Sequence, residues 1–389
     1  MLDRMTLGEI PPKPHIAFRD GEGRVRFEHC FTRRGFDTGY TILYHRRPPT
    51  AETAVALRSE GGGVDALRPR EAPPLPLARR HLLTNDVAPG PDLPRARTPL
   101  LFNADTTLSI ARPTGNTDDL FTNGDGDELF FIFRGSGTLE TPFGPLGFQE
   151  GDYVWIPCGA PYRVRFDGAD NHLLIIEGRS EIGIPAYYRN DVGQLKLDAP
   201  YSHRDFRRPT ALPEPDEGPA TLIVKRGDAL SRVTLSHTPF DAVGWDGTVY
   251  PVAFSIHDFQ PKAGLVHLPP PVHTTFMGTG FVVCSFVPRL LDFHPEAIPC
   301  PYAHSSVHAD EVLFYVNGDF TSRRGIGPGS ISVHPSGIPH GPHPGAYERS
   351  IGAKRTEELA VMLDTFRPLK FTTAARGVED PNYPTSWAG

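Results

Sequence analysis

Residues 329–340 read Gly-Ser-Ile-Ser-Val-His-Pro-Ser-Gly-Ile-Pro-His, and this stretch decides the fold prediction. It begins at Gly329 and ends at His340, and it follows a Glu311, six residues, Gly318 spacing. Glycine permits the tight turns that join short strands, while side chains on the same face of neighbouring strands can meet. We therefore expect Glu311 and His340 to point to the same side from neighbouring strands.

An earlier segment repeats this spacing. Glu128 is followed by six residues and Gly135, and Gly151 is followed by five residues, Pro157-Cys158-Gly159, two residues and Tyr162. Tyr162 stands at the position that corresponds to His340. The carboxylate of Glu128 therefore lacks this imidazole partner. The repeat predicts two related barrels and assigns metal chemistry to the second.

The paired spacing, E-x6-G followed by G-x5-P-x-G-x-x-H, resembles the two motifs of the cupin superfamily, whose members are double-sheet β-barrels of jelly-roll type. We predict an all-β chain of two jelly-roll, cupin-like halves with few short helices. Residues 1–255 form the expected N-terminal β domain, with a degenerate, metal-free motif. Residues 256–389 form the expected C-terminal domain, with the metal site.

Composition and alternation support the all-β interpretation. The 389 residues include 39 glycines and 42 prolines, about a fifth of the chain against an average of roughly 12 %, and such frequent breakers interrupt long helices. Apolar and polar residues alternate around Leu129–Phe133 and Tyr153–Ile156, which is typical of strands. Residues 64–99 are rich in Pro and Arg and favour a surface insertion or an extended crossover.

Charge and cysteine content exclude several classes of partner. The net charge is −7 and long runs of one sign are lacking, which argues against a nucleic-acid surface. The four cysteines are scattered and form no C-x-x-C pair, as expected in a reducing compartment. The N-terminus lacks the pattern of a signal peptide, and apolar runs fall short of a membrane span. We expect a soluble, cytoplasmic protein.

The second copy concentrates potential metal ligands. Within about forty residues the chain carries His304, His308, Glu311, His334, His340 and His343. Two imidazoles and one carboxylate leave open coordination positions, as in non-haem Fe(II) oxygenases, and zinc hydrolases can use the same set. Spacing leaves His304 and His308 as alternatives for one ligand, because both lie at odd offsets from Glu311 and require a loop before its strand.

Two neighbouring features have ordinary structural interpretations. His343 is predicted to shape the metal-binding turn, and the Arg323-Arg324 pair favours a solvated turn, with reception of an anionic substrate as the alternative. His334 lies in the strand before His340 and is predicted to face either the site or the barrel core.

The stretch from Pro301 to Arg349, above all Gly337-Ile-Pro-His-Gly-Pro-His-Pro-Gly345, resembles the homogentisate 1,2-dioxygenase family. Val243-Gly-Trp-Asp-Gly-Thr-Val-Tyr-Pro251 and Tyr44-His-Arg-Arg-Pro-Pro-Thr50 are similar to other segments of that family. The resemblance implies an Fe(II) enzyme that opens the ring of homogentisate with O2 to give maleylacetoacetate, in tyrosine and phenylalanine catabolism. It also implies a homo-oligomer.

The resemblance further implies roles for individual residues. The metal ligands are His304, Glu311 and His340; the acid–base residue is His267, with His273 as the alternative; the substrate pocket includes Tyr302, His334 and His340. One position departs from the family pattern: Phe320 stands where the family commonly has a tyrosine that contacts substrate. The alternatives are therefore a related dioxygenase that acts on gentisate or another substituted hydroquinone, and a metal cupin that uses Mn or Zn without O2. Three histidine ligands are typical of gentisate enzymes, so Glu311 weighs against that substrate.

Overall fold

The computed structural model describes residues 3–32, 35, 39–57, 67–216, 218–299, 304–318, 320, 323 and 325–387. Strands dominate these ranges, and the α-helices are four or five residues long: α1 (Leu93–Ala96), α2 (Ala346–Ser350) and α3 (Thr373–Gly377). The predicted all-β fold with few short helices is confirmed. None of the helices in these ranges has the length and apolar character needed to cross a bilayer.

The strands of the N-terminal half, residues 1–255, are β1 (Met5–Gly8), β2 (Phe27–Thr32), β3 (Tyr40–His45), β4 (Glu52–Leu57), β5 (Arg80–Leu83), β6 (Arg97–Phe102), β7 (Thr106–Ala111), β8 (Leu120–Asn123), β9 (Asp127–Arg134), β10 (Gly137–Thr141), β11 (Gly144–Phe148), β12 (Asp152–Ile156), β13 (Arg163–Phe166), β14 (His172–Gly178), β15 (Phe206–Arg207), β16 (Ala220–Arg226), β17 (Ala229–Leu235), β18 (Ala242–Gly247) and β19 (Val252–Ser255). The C-terminal half, residues 256–389, contains β20 (Thr274–Gly278), β21 (Phe281–Phe286), β22 (Arg289–Leu290), β23 (Asp310–Asn317), β24 (Ser330–His334), β25 (Arg355–Thr356), β26 (Leu359–Thr365) and β27 (Lys370–Phe371).

An eight-stranded sheet forms the centre of the N-terminal half, in the order β15-β19-β12-β9-β14-β7-β6-β27. The strands β9 and β12 carry the sequence patterns at Leu129–Phe133 and Tyr153–Ile156 that predicted strands, and both predictions are confirmed. The core side chains of β9 are buried on both faces, which explains its nearly continuous apolar run. Smaller sheets, β11-β10-β13 and β4-β17-β16-β8, complete the layers around it.

The C-terminal half has a six-stranded sheet in the order β20-β21-β26-β23-β24-β5. On its central strand β23, Glu311 lies opposite His334 of β24 and opposite Asp364 of β26. Residues directly opposite in adjacent strands share a face of the sheet. The register therefore places these three polar side chains in one row.

Corresponding backbone pairs support the internal repeat. Phe121 exchanges two backbone hydrogen bonds with Tyr162 in the N-terminal half, and Ser306 exchanges two with His340 in the C-terminal half. The repeat seen in the sequence thus extends to a backbone pair beside each second motif, which involves strand β8 in the N-terminal half and irregular chain in the C-terminal half.

The two halves pack through the outer faces of their central strands. The ring of Phe314 contacts Phe131 and Phe133, with centroids 6.3 and 5.2 Å apart. The hydroxyl groups of Tyr153 and Ser285 lie 2.9 Å apart across the same boundary. One hydrophobic core therefore spans both halves.

Strands are also exchanged across the predicted domain boundary. β5 belongs to the N-terminal half by sequence, yet it pairs with β24 of the C-terminal sheet. β27 belongs to the C-terminal half and pairs with β6. Residues 64–99 are predicted to form a surface insertion or an extended crossover rather than a folded unit. Residues 80–99 are folded, since they contain β5, α1 and part of β6, and they cross from the sheet that holds β5 to the sheet that holds β6. The Pro- and Arg-rich composition did not indicate β5, because a buried arginine is unusual in a strand. In the structure, Arg80 is neutralised by an ion pair with Glu379.

Candidate metal centre

Two side chains donate hydrogen bonds to one oxygen of the Glu311 carboxylate. Its Oε1 accepts hydrogen bonds from Nδ1 of His334 at 2.7 Å and from Nη2 of Arg323 at 3.0 Å. Burial raises the pKa of Glu311, but the hydrogen bond and charge of His334 and the charge of Arg323 outweigh it, so the pKa falls well below its ordinary value. Glu311 is therefore an ionised carboxylate with one oxygen already bonded.

The second oxygen of Glu311 faces His340. Glu311 Oε2 lies 4.0 Å from His340 Nε2. His340 is 3 % exposed, and its Nδ1 is buried without a hydrogen-bond partner in the described part of the chain. Burial lowers the pKa of His340, which favours the neutral imidazole that metals bind.

His304 enters the same cavity from irregular chain ahead of β23. Ser306 pairs with His340, so the loop that carries His304 runs beside the loop that carries His340. Gly341 is required at this crossing, because a Cβ atom there would lie 2.2 Å from the carbonyl oxygen of His304. His304 and Glu311 both line the cavity, whereas His308 is exposed. His304, rather than His308, therefore lies beside Glu311 in the cavity, and the ligand atoms of His304, Glu311 and His340 do not all lie within 4.8 Å of one another.

The cavity at this centre has an apolar side and a charged side. Its lining residues are Phe286, Arg289, Leu291, Pro299, His304, Glu311, Leu313, Arg323, Ser350, Ala353, Arg355, Thr356, Glu358 and Met362. Phe320 lies behind this wall, where its ring packs against Tyr315 with centroids 4.5 Å apart. Phe320 also clusters with Leu313 and Met362, so the side of the cavity next to it is hydrophobic.

The two candidate acid–base histidines lie outside that lining. His267 is exposed and lines a neighbouring cavity, where its Nδ1 is 3.7 Å from Asp292. His273 lines the same neighbouring cavity and packs on Phe286, with ring centroids 4.6 Å apart. Burial lowers the pKa of His273 to about 3, so its ring is neutral at physiological pH. Arg289 lines both cavities and therefore lies between these histidines and the metal centre.

The other predicted residues have mixed outcomes. His334 is fully buried and bonds to Glu311, as described above. His343 is buried too, and its Nε2 lies 3.0 Å from the hydroxyl of Ser386. Tyr302 lies outside the described residues, as does Arg324. The prediction of a solvated turn is wrong for Arg323, whose side chain is 5 % exposed because it bonds to Glu311 and to the carbonyl oxygen of Gly341.

The C-terminal segment forms an unpredicted wall of the site. The indole of Trp387 contacts the ring of His334, with centroids 5.7 Å apart, and the guanidinium of Arg323 lies 5.9 Å from an indole centroid. The guanidinium of Arg79 lies 4.6 Å from it. The isolated tryptophan near the C-terminus was the only available sequence signal, and it has no motif spacing to connect it with the histidines.

In the N-terminal half, an arginine occupies the position that faces the motif carboxylate. Glu128 forms a buried ion pair with Arg97 and accepts a hydrogen bond of 2.8 Å from the hydroxyl of Tyr162. Arg97 also lies 3.4 Å from Glu177. Both oxygens of Glu128 are therefore bonded to side chains of the chain itself.

A cluster of carboxylates lies near this ion pair. Within the described ranges, Asp125, Glu177 and Asp228 are the one group of three metal-type side chains whose ligand atoms lie within 4.8 Å of one another. The ammonium of Lys225 already lies 2.6, 2.9 and 3.1 Å from these three carboxylates. Arg179 contacts all three as well. We interpret the cluster as an ion-pair network in which lysine supplies the central cation.

Comparison with known proteins identifies the family. The sequence profile described as the homogentisate 1,2-dioxygenase N-terminal region matches residues 107–256. A protein of Saccharolobus solfataricus with a provisional dioxygenase name is 36 % identical over 98 % of this chain and 97 % of its own length. A homogentisate 1,2-dioxygenase of Bradyrhizobium diazoefficiens is 27 % identical over 70 % of this chain, and the match covers 63 % of that enzyme.

A solved cupin 2 conserved barrel domain protein from Leptotrichia buccalis aligns with 78 % of this chain and 100 % of its own, at a TM-score of 0.31 and 12 % identity. The family assignment depends on the sequence matches instead. They extend from the N-terminal half to nearly the whole chain. The chain belongs to the homogentisate 1,2-dioxygenase family.

Proposed function

We propose that this protein is an Fe(II)-dependent dioxygenase that cleaves the ring of a dihydroxyphenyl acid, with homogentisate as the first candidate substrate and maleylacetoacetate as its product. The observation that carries the proposal is the pair of Glu311 and His340, whose donor atoms lie 4.0 Å apart, with His304 lining the same cavity as Glu311. Two imidazoles and a carboxylate are the donor set that non-haem iron oxygenases use. Homogentisate dioxygenases among the relatives support the substrate class.

Two of the three proposed ligands face each other. Glu311 Oε2 and His340 Nε2 face each other at 4.0 Å, and Glu311 Oε1 is already bonded to His334 and Arg323. Such outer partners fix the orientation of a metal ligand and are typical of metal sites. A ferrous ion held by His304, Glu311 and His340 would supply a redox-active Lewis acid with open coordination positions.

The remaining residues bind the organic substrate and move its proton. The apolar wall formed by Phe286, Leu313 and Met362 would contact the aromatic ring. We propose His267 as the base that removes the phenol proton, since it is exposed and lines the cavity next to the one that contains Glu311. His273 is the less suitable base because burial already lowers its pKa to about 3.

The test is oxygen uptake after anaerobic reconstitution with Fe(II). Addition of homogentisate should consume one O2 per substrate, with absorbance of the ring-opened product rising in parallel. His340→Ala should abolish uptake and metal binding, whereas His308→Ala removes an exposed histidine from the same loop region and should preserve both. Iron binding without uptake for any dihydroxyphenyl acid would refute the dioxygenase proposal.

A substituted hydroquinone is the second candidate substrate, because of Phe320. This residue has no hydroxyl group and is packed against Tyr315, so it cannot replace the hydrogen bond that a tyrosine would give. Losing one such bond costs about 1 kcal/mol. Parallel assays with gentisate and ring-substituted hydroquinones would identify the preferred acid by its kcat/KM.

The same reconstitution tests the other proposed properties. A homo-oligomer is expected, and size-exclusion chromatography with light scattering would measure its mass. Substitution of Mn or Zn for iron should give no O2 uptake, whereas turnover without O2 would favour a non-oxygenase metal cupin.

A further inference from the structure

We infer that Arg289 binds the carboxylate of the aromatic acid and thereby selects anionic substrates. This inference deepens the proposed function, and it rests on that function for the identity of the reaction. Arg289 lies at the start of β22, and its side chain is 9 % exposed. It lines the cavity that contains Glu311 and also the neighbouring cavity that contains His267.

The guanidinium of Arg289 has N–H groups beyond the one that its backbone hydrogen bond uses. Its Nη1 donates to the carbonyl oxygen of Val287 at 3.1 Å. Its only ion pair in the described ranges is with Glu358, at 3.9 Å, which is too long for a hydrogen bond. A guanidinium has five N–H groups, and two parallel donors match the two oxygens of a carboxylate. Arg289 can therefore donate two parallel hydrogen bonds to one carboxylate.

The other cations of the cavity are already engaged. Arg323 donates to Glu311 and to Gly341. Arg355 forms an ion pair with Glu357 in which both side chains are more than half exposed, so solvent screens it. Arg289 thus differs from both, since it is buried and its one ion pair among the described residues, with Glu358, is too long for a hydrogen bond.

The shape of the surroundings fits an aromatic anion. The guanidinium carbon of Arg289 lies 5.7 Å from the ring centroid of Phe286, and Phe286 shares the cavity with Leu313 and Met362. An apolar surface beside a buried cation would hold an aromatic ring and its carboxylate together. Phe320, which packs behind Leu313 and Met362, offers no hydroxyl group, so the charge of Arg289 is the stronger available source of specificity.

The experiment compares acids with their amides. Binding of homogentisate, gentisate and 2,5-dihydroxyphenylacetamide to the anaerobic Fe(II) protein would be measured by calorimetry. We expect the wild-type protein to prefer the acids. Arg289→Met should weaken acid binding by about tenfold or more, the usual effect of losing a charge-assisted hydrogen bond, and should leave the amide Kd unchanged.

Two further variants keep the test decisive. Arg289→Lys retains the charge and should restore part of the acid preference, even if Arg289→Met folds poorly. Arg367→Met removes a surface arginine that is 65 % exposed and serves as the matched control, with no change in discrimination.

The possible outcomes separate the two proposals. Equal binding of acid and amide by the wild-type protein would overturn the role of Arg289, as would equal weakening of both by Arg289→Met. An acid preference that depends on Arg289, together with no O2 uptake, would retain the anion site and refute the dioxygenase reaction.

Discussion

The indole of Trp387 is stacked on the imidazole of His343, with ring centroids 3.5 Å apart and planes inclined by 28°. His343 lies three residues after His340, so this contact joins the C-terminal segment to the loop that carries His340. The neighbouring Ser386 hydroxyl lies 3.0 Å from His343 Nε2 and reinforces the same junction.

Replacement of Trp387 should therefore weaken the metal site from a distance. Trp387→Ala removes ring contacts with His343 and His334, and we expect a loss of about 2 to 3 kcal/mol in stability, somewhat below the usual cost for a fully buried aromatic residue. We also expect a lower Fe(II) affinity. Trp387→Phe should retain most of both. Metal titration followed by urea denaturation would measure the two effects, and an unchanged affinity in Trp387→Ala would contradict this coupling.

His334 is expected to orient Glu311 rather than to bind metal itself. His334→Ala removes the 2.7 Å hydrogen bond to Glu311 Oε1, and loss of such an outer partner typically lowers metal affinity by about 10- to 100-fold. The chain should still fold and retain some metal. Competitive chelator titration would measure the change, with His308→Ala as the control. Complete loss of metal binding would instead identify His334 as a ligand.

Acid should destabilise the fold through His172. This residue is fully buried, its Nε2 lies 3.1 Å from the hydroxyl of Thr84, and burial lowers its pKa to about 3. In the unfolded chain its pKa is near 6.5, so between these values only the unfolded state takes up the proton. The contribution of His172 is complete above about pH 6.5 and decreases as pH falls, by at most about 1.4 kcal/mol per pH unit.

The variant His172→Gln isolates this effect, because an amide can donate to Thr84 but does not titrate. Urea unfolding at pH 7 and pH 5 should give a smaller decrease in the free energy of unfolding for the variant than for the wild-type protein. Equal decreases in the two proteins would show that other groups cause the acid sensitivity.

Arg97 should be essential to the stability of the N-terminal barrel. Arg97→Met leaves the carboxylates of Glu128 and Glu177 buried near each other without this cation, and removal of one partner of a buried pair costs about 3 to 5 kcal/mol. The double variant Arg97→Met/Glu128→Leu should recover part of that loss. Thermal unfolding would compare the variants, and a cost below about 1 kcal/mol for the single change would contradict the prediction.

The sequence predicted the barrel repeat because its signals are local. Glu311 and His340 follow fixed motif spacing, and Leu129–Phe133 shows a strand pattern that neighbouring residues do not obscure. The role of Arg323 could not be predicted in this way, since its burial depends on a carboxylate from another strand. Arg289 and Trp387 were missed for the same reason: their contacts are made by chain folding and leave no periodic signal.

The choice between His304 and His308 depends on tertiary structure and could not be made from spacing. Both histidines precede Glu311 at odd offsets, so alternation in a strand could not separate them. The pairing of Ser306 with His340 places the loop of His304 beside the site. That pairing is long-range and could not be read from the residues between the two histidines and Glu311.

The exchanged strands β5 and β27 make the two halves mutually dependent. A chain divided after residue 255 would place β5 in one fragment and its partner β24 in the other, and β27 would likewise be parted from β6. Each fragment would expose unpaired sheet edges together with the apolar surface around Phe314, conditions that promote aggregation. The exchange of one strand in each direction therefore makes the two halves a single folding unit.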